Sequence, residues 1–258
     1  MIFQIKSYLK FLWKSKNEHG VHSPFVFSLV TKCFYDNKQK TEYEVLQRYR
    51  NSLLENMNFI DVFDFGAGSK VFKSNIRQIS KIAKTAGITQ KRTQLLFRIV
   101  NYFQPESILE IGTSLGLATS ALSLGNPKTK IVTLEGCPNS LAVAKSQISY
   151  YKFKNIEFIN TEFSCYLNQI PSLGVWGLIY FDGNHQKQAT LDYFELLLPT
   201  ISNESIWIFD DIHWSKEMEE AWEIIQNHSK VTVTIDTFQW GFVFFRKEQE
   251  KEHFVIRV

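Results

Sequence analysis

The chain has 258 residues, 44% of them hydrophobic and 21% charged, with a formal net charge of +3. That length holds one large domain, or a domain with an appendage, and that balance excludes a disordered chain. Three widely separated cysteines, Cys33, Cys137 and Cys165, form no CxxC pair, give no support to a disulfide framework or a thiolate zinc site, and point to a reducing, cytoplasmic setting.

The N-terminal part is expected to be helical. Ile2–Trp13 has amphipathic spacing, His19–Pro24 reads as a breaker, and Phe25–Phe34 resumes a helix after Pro24. Glu42–Asn56, Ile76–Ala86 and Gln90–Phe103 also show helical periodicity. Met1–Lys16 carries Lys6, Lys10, Lys14 and Lys16 among apolar residues, which does not read as a signal peptide, and no apolar run reaches the length of a membrane span. Residues 1–95 hold 16 Lys and Arg against 7 Asp and Glu, and residues 96–258 hold 13 against 19. The basic half reads as a solvated face, with attraction to an anionic surface or nucleic acid as the sharper alternative.

From Pro105 the pattern becomes an alternation. Strands are expected at Ser107–Ile111, Lys130–Leu134, Ile156–Ile159, Trp176–Phe181 and Ser205–Phe209. Helix-length stretches lie between and after them, at Leu115–Leu124, Asn139–Tyr150, Glu162–Gln169, Gln188–Leu198 and Lys216–Asn227. Val231–Ile235 and Gly241–Arg246 read as a closing antiparallel hairpin at the sheet edge. The expected fold is α/β: a doubly wound, mostly parallel, Rossmann-like sheet of seven strands with a helical N-terminal extension. The expected division is a basic extension over 1–95, serving as a lid or a dimerisation region, and a ligand-binding domain over 96–258.

Ligands of such sheets bind beyond the carboxyl ends of the strands. The expected strands end at Glu110, Glu135, Asn160 with Thr161, Asp182, and Asp210 with Asp211, so four of the five ends are acidic. Gathered carboxylates repel one another unless a ligand or metal offsets the charge, so the series points to a binding site. The first exit reads Glu110-Ile111-Gly112-Thr113-Ser114-Leu115-Gly116. Its glycines allow a tight turn and close approach, and Thr113 and Ser114 offer donors at the head of the next helix. Glu135, placed after the second strand, suits the two hydroxyls of a ribose.

This first loop, the acid after the second strand and the terminal hairpin resemble the class I S-adenosylmethionine-dependent methyltransferases over about 105–246. The resemblance implies that Glu110, Gly112, Thr113, Ser114 and Gly116 hold the amino acid part of S-adenosylmethionine. It implies that Glu135 and Gly136 hold the ribose, that Thr161 lies beside the adenine, and that Asp182 lies near the cofactor. The segments Tyr180–His185 and Ile208–Trp214 are similar to the metal-dependent O-methyltransferases of the catechol, caffeoyl-CoA and sugar-modifying groups. That similarity implies a Mg²⁺ site at Asp182, Asp210 and Asp211. The catechol-type members place a Lys three residues after the first Asp, and this chain has His185 there, a group able to take a proton near neutral pH. Asp182, His185 and His213 are the candidate catalytic residues, and the implied reaction is O-methylation of a small molecule.

An RNA or DNA methyltransferase is the first rival, supported by the basic half and opposed by Asp182-Gly183-Asn184-His185 where an NPPY-like or DPPY-like tetrapeptide is common. A non-catalytic cofactor-binding module on the same fold is the second. The spacing Gly112–Gly116 departs from the GxGxxG of dinucleotide enzymes. A second loop, Phe63–Ser69 (FDFGAGS), also looks like a methyltransferase first loop, but no acid-ended strand follows it. It reads as an N-terminal element over the ligand or as a plain turn. A homodimer through the aromatic-rich N-terminal region is also open.

Overall fold

The computed structural model describes residues 2–63, 72–169 and 174–258. The chain opens with α1 (Ile2–Lys14) and α2 (Pro24–Leu29). The α2 start is set by Pro24 in its first turn and by Ser23, whose hydroxyl accepts the Val26 amide. There follow α3 (Thr41–Leu54), short strands β1 (Phe59–Asp61) and β2 (Ile76–Gln78), α4 (Ile79–Thr85) and α5 (Gln90–Phe103). Strands and helices then alternate through β3 (Ser107–Ile111), α6 (Leu117–Gly125), β4 (Lys130–Glu135), α7 (Pro138–Tyr150), β5 (Ile156–Asn160) and α8 (Phe163–Leu167). The series continues with β6 (Leu178–Phe181), α9 (Lys187–Leu197), β7 (Ile206–Asp210) and α10 (Lys216–Asn227). The chain closes with β8 (Val233–Asp236), β9 (Trp240–Phe244) and β10 (Glu252–Val255).

Two compact units are distinguished: Asp36–Phe163, and Met1–Tyr35 together with Ser164–Val258. The division expected at residue 95 is not one of these boundaries. In the 36–163 unit, β3, β4 and β5 are parallel, with Ile111 opposite Leu134 and Glu135 opposite Asn160. Ile108 to Ile111 are buried without a break, as in a parallel strand covered on both faces. The α5 face with Leu95, Leu96, Ile99 and Val100 is buried, and α6 is buried almost throughout. The segment expected as a helix over Ile76–Ala86 begins instead as β2, which pairs antiparallel with β1. The helix starts only at Ile79, whose amide donates to Asn58 O. Of the Phe63–Ser69 loop, residues from Asp64 onward lie outside the described residues.

In the other unit the strand order is β10-β8-β9-β7-β6. β6 and β7 are parallel, and β9 runs antiparallel to both β7 and β8. The expected hairpin is therefore present, but it is not the last element. The count of seven main-sheet strands is corrected to eight by β10, which pairs parallel with β8 and buries Phe254. The amphipathic α10 buries Met218, Ala221, Trp222 and Ile225, and Ser215 caps it by accepting the Met218 amide.

Candidate functional site

The 36–163 unit holds the residues expected to bind a cofactor apart from Asp182, which belongs to the other unit. The turn after β3 has three left-handed positions, Gly112 at φ 104°, Ser114 at 49° and Gly116 at 80°. Ser114 alone of these carries a side chain there, a conformation that costs roughly 1–3 kcal/mol and that concentrates at functional sites. The turn is tied to the end of β4. The amides of Gly112 and Thr113 donate to Leu134 O, and the amide of Ser114 donates to the Glu135 carboxylate at 2.7 Å. The second Glu135 oxygen accepts the Cys137 amide at 2.9 Å. The Asn160 side chain donates to the carbonyls of Glu135 and Gly136, and the Thr161 amide donates to Glu135 O.

Glu110 is fully buried, one residue before the end of β3. Its Oε2 accepts from Thr119 and Thr133 hydroxyls, both at 2.6 Å, and Thr133 shares a 2.5 Å hydrogen bond with Thr113. Its Oε1 has no hydrogen-bond partner. Burial pushes its pKa up to about 8, against the two threonine hydrogen bonds, which lower it, and with the Glu135 charge, which raises it. A buried acceptor atom without a donor is costly and marks a place for a ligand's donor. Three members of this site were not singled out in the sequence. Thr133 stands opposite Glu110 in the β3–β4 register, and Thr119 reaches it from α6. Tyr49, buried in α3, donates to Leu115 O at 2.9 Å. A Cβ at position 116 would stand 2.5 Å from the Tyr49 hydroxyl, so Gly116 answers to this tyrosine as well as to the turn.

The 1–35 and 164–258 unit holds the remaining candidates. His185 Nε2 lies 3.7 Å from Asp182 Oδ1 after β6. Asp210, buried at the end of β7, accepts the Tyr180 hydroxyl at 3.2 Å and the Asp211 amide at 2.8 Å, one on each oxygen. Asp211 and Asn184 both adopt positive φ. Among the described residues no group of three or more His, Cys, Asp and Glu side chains is arranged to hold a metal. Asp182, Asp210 and Asp211, where the motif resemblance implied a Mg²⁺ site, are not arranged as such a group.

His213 is held on both ring nitrogens, by Glu219 at 2.6 Å and Asp236 at 2.9 Å. Burial disfavours its charged form, but the hydrogen bonds and charges of Asp236 and Glu219 outweigh this and raise its pKa. A histidine so held has no free lone pair with which to take a substrate proton, so its expected part as a base does not fit the geometry. Its ring stacks on Phe238 at 5.1 Å between centroids. It lines a cavity of about 330 Å³ with Asp211, Trp214, Phe238, Ile5 and Tyr8, among others. That volume is within the range of small-molecule sites.

Residues 109–212 match the family model described as a methyltransferase domain. The chain carries a methyltransferase domain. The fold is shared with solved structures of low sequence identity. The SAH-bound methyltransferase PaMTH1 of Podospora anserina is 13% identical, with a TM-score of 0.60 over 88% of this chain and 97% of that one. An SAH complex of an O-methyltransferase from Bacillus cereus is 18% identical, with a TM-score of 0.55 over 81% and 92%. The SAM complex of TomG, an O-methyltransferase of Streptomyces achromogenes involved in tomaymycin synthesis, is 13% identical, with a TM-score of 0.58 over 86% and 95%. No match is found among curated proteins. The match begins at Leu109, within β3, and takes in the Gly112–Gly116 turn, Glu135, Asp182 and Asp211. The class I methyltransferase resemblance read from those motifs holds for the domain and for the fold.

Proposed function

We propose that this methyltransferase uses S-adenosylmethionine to methylate a hydroxyl oxygen of a small molecule. The observation that carries the reading is the pair formed by Glu110, with its partnerless buried Oε1, and Glu135, tied to the intervening turn through the Ser114 amide. Glu110 would accept from the ammonium of the cofactor's amino acid part, and Glu135 from the ribose hydroxyls. Gly112, Thr113, Ser114 and Gly116 would bring backbone close to the same part, with Gly136 and Thr161 at the ribose and base end.

When bound, S-adenosylmethionine supplies a methyl group already activated by its sulfonium. The protein's remaining tasks are to align the acceptor oxygen and to receive its proton. Alignment alone contributes up to ~7–11 kcal/mol in favourable cases. His185 is assigned the proton: its imidazole would receive it from the acceptor hydroxyl, and the Asp182 carboxylate, 3.7 Å from Nε2, would stabilise the resulting cation. His213, engaged on both nitrogens, is assigned to the wall of the cavity.

The test is SAH release over a panel of phenols, catechols, hydroxy acids, amines and RNA. Turnover is expected with a hydroxyl acceptor. His185→Asn should then lower kcat by ~10²-fold or more, with SAM affinity kept. Turnover with amines or RNA alone, or a fully active His185→Asn, contradicts the assignment.

A further inference from the structure

We propose that α1 is a surface-lying helix that seats the protein on bilayers carrying anionic lipid headgroups. The helix has no acidic residue anywhere in Ile2–Lys14. Its buried side is narrow: Ser7 and Phe11 face inward, and Phe11 and Tyr8 pack on Phe238 with ring centroids 5.5 and 4.9 Å apart. Beyond the helix, the Lys16 amide donates to Val255 O, fixing the segment to β10.

The outward side is built from two adjacent stripes, each stepping by four residues. One is Ile5, Leu9 and Trp13, which are 54%, 60% and 85% exposed. The other is Lys6, Lys10 and Lys14, all exposed. Residues four apart lie one above another on a helix, so each stripe is continuous over the full length. An ordinary surface helix turns a polar face to water, and this one turns leucine and tryptophan to water beside lysines. Leu9 and Ile5 also border the cavity, whereas Trp13 does not.

A bilayer with anionic headgroups satisfies both stripes at once. The apolar side chains enter the headgroup–acyl boundary, the indole sits at the interface, and the lysines reach phosphate groups. A second copy of the helix satisfies only one, because its own lysine stripe would face this one with no acidic side chain to pair it. A nucleic acid satisfies the lysines and leaves Leu9 and Trp13 in water. Thirteen residues reach about 20 Å along a helix, short of a ~30 Å hydrocarbon core. Among the described residues no helix is long and apolar enough to cross a membrane, and α1 lies on the surface.

The test is vesicle flotation with the full chain, using phosphatidylcholine alone and phosphatidylcholine mixed with phosphatidylglycerol. The wild type is expected to float with the mixed vesicles, more weakly as salt is raised, and little with phosphatidylcholine alone. Trp13→Glu should reduce the partition coefficient by about tenfold or more, and Lys10→Glu with Lys14→Glu should remove the preference for phosphatidylglycerol. Because these side chains are exposed, the thermal midpoint of each variant should stay at the wild-type value, which separates lost binding from lost folding. The proposal is overturned if the wild type does not float or if Trp13→Glu floats as well as the wild type. It is equally overturned if, without flotation, the protein retains RNA or forms a dimer that Trp13→Glu dissolves.

Discussion

Glu110→Gln should flatten a pH dependence of stability that the wild type shows between about pH 4.5 and 8. The carboxyl is buried and its pKa is pushed from 4.5 to about 8 in the folded protein. The unfolded chain gives up this proton near 4.5, and the folded chain keeps it until about 8. Between those values the folded state binds more protons than the unfolded state, so stability falls as pH rises. The contribution is complete below 4.5, declines through the window, and is level above 8, where both states are ionised. At about 1.4 kcal/mol per unit the full effect is on the order of a few kcal/mol. Glutamine has nearly the same shape and never ionises. In denaturant melts, the variant should therefore gain on the wild type steadily from the acid end of the window to the alkaline end. The comparison cancels every other titrating group. Two parallel curves would show that Glu110 ionises as an exposed carboxyl does and would overturn the expectation. The same variant should bind S-adenosylmethionine at least ~10-fold more weakly above about pH 8, where the wild-type carboxyl is ionised and can pair with the ammonium and the amide cannot. A stability difference that follows pH together with a loss of binding is not the pattern of a purely structural residue.

His213→Ala has the second large effect, on stability rather than on proton transfer. His213 bridges Glu219 and Asp236, and Asp236 is buried. Removing the cation leaves two carboxylates facing an emptied space, which costs about 3–5 kcal/mol when such pairs are buried. The sign with pH is the reverse of a lowered carboxylate. The folded pKa of His213 is raised above its ordinary 6.5, so the stabilisation is complete below 6.5 and is lost as pH rises through the raised value. The difference between wild type and His213→Ala in chemical melts should be greatest on the acid side of 6.5 and shrink at alkaline pH. A difference that grows with pH would mean that the ring is neutral in the fold.

The strand exits were legible because an acid at the end of an apolar run is conspicuous, and Glu110, Glu135, Asp182, Asp210 and Asp211 all stand at or beside such ends. What those acids do was less legible. Glu110 reads as the acid that ends the first strand, but its full burial does not, and only the β3–β4 register reveals that Thr133 faces it. A threonine inside an apolar strand carries no mark of its own, and the same holds for Thr119 in α6. Tyr49 reads as an ordinary core aromatic until its hydroxyl is found at the turn around Gly116. His213 looked chemical because it follows paired aspartates, and its two restraints come from six and 23 residues further along. The segment Ile76–Ala86 was misread because its apolar spacing runs unbroken from β2 into α4. β10 escaped because four residues amid charged neighbours carry too little pattern, although Phe254 is buried.

The central claim is that Glu135 and the turn before it hold S-adenosylmethionine, and isothermal titration calorimetry tests it without knowledge of the acceptor. S-adenosylmethionine and S-adenosylhomocysteine would be titrated into the wild type and into Glu135→Ala. The account predicts dissociation constants of about micromolar order for the wild type and a loss of at least ~100-fold in the variant, with both proteins folded. No binding to the wild type, or equal binding to Glu135→Ala, would contradict it and leave the acidic strand ends to another ligand.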